Sequence, residues 1–170
     1  YEELEGKDTK DKNVSVEKIL ARKYTPTEDP TRSYVCTSVA AEGPCLILAS
    51  ICDIFNNDRK STVLTFELFA TKSLKNLHFV DVLEPQSGHR LKAVHKMAFT
   101  KFKGATFVLA ISVLYHLNVL SIRHNKLHPV LTNHEIYSSS LNGITGLDNG
   151  EFIVTYGSSG FMCNLALKKD

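Results

Sequence analysis

Seven histidines and four cysteines are the residues of this chain with the widest chemical reach. His124 and His128 stand four positions apart, with His116 and His134 near them in sequence. On a helix that spacing would put two imidazoles on one face, as a zinc site requires. Here Asn125-Lys126 reads as a hairpin turn and Pro129 argues against a helix, while Arg123 and Lys126 would repel a cation. The expectation is therefore histidines at strand ends and on the surface, and no metal. Cys36, Cys45, Cys52 and Cys163 contain no CxxC pair, the spacing that zinc and redox chemistry use. Cys45 and Cys52 fall seven apart in an apolar run, on opposite faces if that run is a strand. Buried free thiols are expected, in a reducing compartment.

Catalysis finds no motif. Neither GxSxG nor HExxH occurs, and Asp53, Asp81 and Asp148 read as strand-end or turn residues. Gly157-Ser158-Ser159-Gly160 lacks the Lys and the following helix that would cradle a phosphate, so it reads as a hairpin turn. The chain is expected not to be an enzyme and to need no cofactor. The remaining candidates are cationic. Arg90, Lys92, Lys96, Lys101 and Lys103 crowd positive charge into residues 90–103, beside His95, and could contact phosphate or an acidic partner. The competing reading is a solvated face, since Lys at a sheet edge also blocks unwanted strand pairing. Net charge is only +2 over 170 residues, so no global field demands nucleic acid or an anionic membrane.

The elements that would position these groups are short β-type runs. Residues 1–12 are dominated by Glu, Lys and Asp and read as a charged tail; residues 1–13 lack the apolar core of a signal peptide. Residues 13–24 are read as one strand, and residues 25–32, with Pro26 and Pro30, as a linker. From Tyr34 the runs repeat. CLILASICDIF is nearly continuous in apolar residues, as a strand covered on both faces would be. STVLTFELFA alternates, and its face of Leu64, Phe66 and Leu68 should meet the core. Asn149-Gly150 between apolar runs is a hairpin signal. Second-strand starts at Cys45, Thr106 and Glu151 are separated by 61 and 45 residues, third-strand starts at Thr62, His116 and Phe161 by 54 and 45. Four strands recurring near 40 to 45 residues is the signature of propeller blades.

The final unit, LNGITGLDNGEFIVTYGSSGFMCNLALKK, resembles the WD40 family. A first strand with Ile144 and Leu147 leads through Asp148-Asn149-Gly150 to a second with Phe152, Ile153 and Val154, then through a small-residue turn to a third. The middle unit resembles it through residues 95–99 and the two runs that follow, and the likeness covers residues 34–169. No Trp occurs, so the family's Trp-Asp pair is missing, and Gly88-His89 is the one Gly-His pair. Apolar packing is expected to replace the polar network those residues would make.

The resulting expectation is an all-β chain of antiparallel four-stranded meanders forming part of a β-propeller. Residues 1–33 would be tail and linker, with blades near 34–85, 91–137 and 141–170. A sandwich or barrel would suit the same strands; the distinction is whether each unit forms its own meander. The resemblance implies a non-catalytic protein-interaction scaffold, a subunit of an intracellular assembly in cytoplasm or nucleus, with another protein subunit completing the ring. Three units do not close a ring, so either further blades of the same protein or another chain would complete it; separately, residues 13–24 could supply the missing fourth strand of the last blade. The alternative is a nucleic-acid-associated subunit of a chromatin or transcription complex, using residues 90–103; no membrane partner is expected.

Overall fold

Five two-residue hairpin turns set the register of this all-β chain: Glu42 pairs with Cys45, Asn56 with Arg59, Phe102 with Ala105, Arg123 with Lys126, and Tyr156 with Ser159. Gly43 and Gly157 open their turns with positive φ, and the other three turns take the left-handed backbone that matches strand twist. Asn57 and Asp58 (φ 41° and 64°), Lys103 and Gly104 (48° and 76°), and His124 and Asn125 (50° and 59°) do so at both positions. The computed structural model describes residues 29–82, 93–112, 116–136 and 140–166. The tail at 1–12, the strand expected at 13–24, and Arg90 and Lys92 lie outside these residues.

Each unit forms its own meander. The first sheet runs β1 (Arg32–Glu42), β2 (Cys45–Asn56), β3 (Arg59–Ala70) and β4 (Asn76–Val82). In the second come β5 (Val94–Phe102), β6 (Ala105–Ser112), β7 (His116–Arg123) and β8 (Lys126–Glu135). A third sheet has three strands, β9 (Gly143–Gly146), β10 (Glu151–Tyr156) and β11 (Ser159–Asn164), with a 3-10 turn at Asp148–Gly150 joining the first two. All pairings are antiparallel. β1 begins at Arg32, inside the segment read as linker, because Arg32 reaches across the sheet as described below.

Alternation decides how the sheets stack. Leu64, Phe66 and Leu68 do face the core, packing with Ile47 and Ala49 against Val108, Ala110, Leu120 and Leu127 of the second sheet. The opposite face of the second sheet, Phe107, Leu109, Ile111, Leu117 and Val119, packs on Phe152 and Val154 of the third. The second sheet is thus covered on both sides, which is why β6 and β7 are buried along most of their length. Each fully buried large side chain contributes about 1.5–3 kcal/mol. Strands of like rank lie together: β5 is beside both β1 and β9, and β4 is beside β8.

The seam between the second and third sheets is closest where β5 passes β9. The Thr100 hydroxyl donates to the Leu147 carbonyl at 2.6 Å, and Gly146 lies against the Phe99 carbonyl with no room for a side chain. Asn149 and Gly150 hold positive φ (59° and 78°), and Gly150 seats on the Phe102 ring.

Candidate functional site

At one end of the stack the first strands of the three sheets converge on an open groove of about 600 Å³. Its walls are the end of β1 (Glu42), β5 (Phe99, Thr100 and Lys101), the start of β6 (Thr106), and the β9–β10 connection (Gly146, Leu147, Asp148 and Glu151). The walls are residues that flank the first-to-second strand turn of each sheet. Glu42, Asp148, Glu151 and Lys101 are exposed, and Leu147 leaves 37% of its surface to solvent. Three carboxylate residues and one lysine therefore share its lining with Phe99 and Leu147. The volume is that of a small ligand or a few side chains.

Of the cations singled out in the sequence, Lys101 lines this groove and Lys103 sits at the β5–β6 turn, its ammonium 5.6 Å from the Phe102 ring centroid. Lys96 pairs with Ile111 and Lys101 with Thr106, which puts the two on opposite faces of β5. The structure does not gather them. Sequence reasoning missed Glu42, Asp148 and Glu151, although a signal existed: each stands within a residue or two of a first-to-second strand turn.

A second polar assembly crosses the first sheet on the face turned away from the core. Arg32 on β1 donates from both terminal nitrogens to Asp81 on β4, at 3.0 and 2.6 Å, and Thr65 on β3 donates to the same carboxylate at 2.8 Å. Arg32 also approaches the Cys52 sulfur on β2 at 3.9 Å. Burial raises the Asp81 carboxyl, but the hydrogen bonds from Arg32 and Thr65 and the charge of Arg32 outweigh it and leave it below its usual range. Asp81, one residue from the end of β4 as the sequence reading had it, is also the hub of a four-strand brace.

Next to it, Glu67 is 1% exposed; one carboxylate oxygen accepts from Asn76 at 2.9 Å, while Oε1 has no partner among the described residues. Burial pushes its carboxyl up to about 7, with Asp81 adding repulsion and the Asn76 bond opposing. A carboxyl raised in the folded state stabilises below its unfolded value near 4.5, and that contribution is lost as pH rises through 7. Glu67→Gln is therefore expected to unfold at higher urea than the native chain at pH 8, by on the order of 2–3 kcal/mol. The gain should fade toward pH 4.5; an advantage independent of pH would mean that ionisation is not its source.

Ser112, His116 and Glu135 form the arrangement most like a catalytic array. The Ser112 hydroxyl is 3.5 Å from His116 Nδ1, and His116 Nε2 is 4.0 Å from Glu135. Ser112 has no exposed surface, and its oxygen accepts the His116 backbone N–H at 3.1 Å. The array ties the end of β6 to the start of β7 and to β8. His124 lies in the β7–β8 turn and His128 is exposed on β8. Among the described residues, no three His, Cys, Asp or Glu side chains group as metal ligands, and no helix is long and apolar enough to cross a membrane. Cys45 faces the core between the first two sheets and Cys52 the opposite face, as their spacing implied. Cys36 is exposed, against the expectation of burial, on the edge strand β1 just before its register shift at Ser38.

Fold and site together define an all-β protein of stacked antiparallel meanders with a charged groove at the ends of their first strands. The chain matches no protein-family model and no curated protein.

Proposed function

We propose that this chain is a non-catalytic protein-interaction scaffold, three blades of a divergent WD40-like propeller serving as a subunit of an intracellular assembly. The stacking of like-ranked strands supports the propeller reading, since blades fan about an axis lined by their first strands. The observation that carries the function is the groove at that axis, with Glu42, Asp148 and Glu151 set around Phe99 and Leu147. Charge with a local apolar floor suits a protein segment bearing cationic side chains. The nucleic-acid alternative needs the cations of residues 90–103 on one face, and β5 places Lys96 and Lys101 on two.

The test is the triple reversal E42K/D148K/E151K. Native and reversed chains are compared as bait in quantitative capture from cell extract, with each bound complex sized by light scattering. The expected result is a defined complex with the native chain, lost on reversal while thermal unfolding stays within a few degrees. Identical complexes on both baits would remove the groove, and no complex with either would remove the scaffold reading. Salt-steep binding of duplex DNA or RNA by the native chain would favour the alternative.

A further inference from the structure

Among the described residues, a polar contact ties the first and second sheets at their outer edges. His78 on β4 offers Nδ1 to the backbone N–H of Leu127 on β8, at 3.1 Å. Both strands are edges of their sheets, and Leu127 is a core residue, 2% exposed, whose ladder partner on β7 is Ile122. Its N–H points off the open edge of the second sheet, where it would otherwise have water or nothing. As an acceptor, Nδ1 carries no proton, so His78 holds its proton on Nε2. An imidazolium has donors at both nitrogens and cannot accept this bond.

We propose that His78 is a pH-sensitive latch on this seam: neutral, it holds the edge of the second sheet to the first, and protonated, it releases it. The surroundings favour release without recapture. Lys126 and His128, from β8, are the charged and titratable groups facing His78, and both oppose a positive imidazole. On its own sheet, Glu67 and Asp81 lie on the opposite face, because His78 pairs with Leu68 while Phe79 pairs with Glu67. No carboxylate among these neighbours stands ready to hold the imidazolium in place. Burial first, then Lys126 and His128, keep His78 below its ordinary value of 6.5. The sign follows: the latch contributes fully above pH 6.5 and is lost as pH falls through the lower folded-state value.

The contact is read at a single atom, the Leu127 amide. Hydrogen exchange is followed by NMR on the full chain from pH 7.5 to 5.0, with rates corrected for intrinsic exchange. Leu127 protection is expected to fall by about fivefold or more on acidification, the worth of one net hydrogen bond. The amides of Val108 and Leu120, within the same sheet, should hold theirs. In His78→Asn, whose Oδ1 can accept from the same direction but does not titrate, Leu127 protection should stay flat with pH. In His128→Gln the fall should persist, because the latch rather than its neighbour carries the change. A flat profile in the native chain, a fall of equal size in His78→Asn, or its disappearance in His128→Gln would each overturn the proposal.

Discussion

Gly146→Ala is expected to cost about 3 kcal/mol or more and to loosen the third sheet from the second. A Cβ built at this position would stand 1.6 Å from the Phe99 carbonyl oxygen and 2.6 Å from its carbon. No rotamer relieves that contact, because both atoms are backbone of β5. Nor can β5 withdraw, since Phe99 is paired to Val108 and the Thr100 hydroxyl holds Leu147 one residue further along. The whole β9 edge would have to lift, exposing Phe152 and Val154, whose strand pairs with β9. Gly157→Ala is the control. Its φ of +51° is unfavourable for alanine but no atom lies within 4 Å, so it should cost about 1 kcal/mol. Urea unfolding of both variants decides the matter. If Gly146→Ala falls within 1 kcal/mol of its control, the close approach of β5 and β9 is wrong.

That glycine also marks where reading the sequence stopped. The strands were legible because alternation and turn residues are local: Leu64, Phe66 and Leu68 announced a core face, and Asn149-Gly150 announced positive φ. Separate meanders followed from the repeat spacing. Gly146 lies in a run, NGITGLD, where nothing local distinguishes a glycine that makes a turn from one that admits a neighbouring carbonyl. The same limit hid the other face of β3. Thr65 and Glu67 look like its solvent side, yet both are buried, Thr65 bonded to Asp81 and Glu67 to Asn76. Glu42, Asp148 and Glu151 were equally unreadable as a group, since only the stacking of three sheets brings their turns to one groove.

Asp81→Ala is expected to lower stability by about 3 kcal/mol at pH 7, since it strands the Arg32 guanidinium and the Thr65 hydroxyl inside the first sheet. Arg32 keeps 15% of its side-chain surface exposed and Asp81 21%, so some solvent relief holds the cost below that of a wholly buried pair. Arg32→Ala should cost a similar amount. It leaves a carboxylate with Thr65 alone and removes the guanidinium from the Phe79 ring, 5.6 Å away. The double variant should cost less than the two together by about 2 kcal/mol, because neither group is then left without its partner. Additivity would mean that the pair is incidental to folding. The acid limb gives an independent reading. Asp81 is held below its usual value of 3.8, so its contribution is present above that pH and is lost as pH falls through the lower folded-state value. Asp81→Asn should therefore flatten the loss of stability below pH 4 while Glu67→Gln leaves that limb unchanged. The first sheet then owes its integrity to a salt bridge that joins its two edge strands, β1 and β4, across β2 and β3.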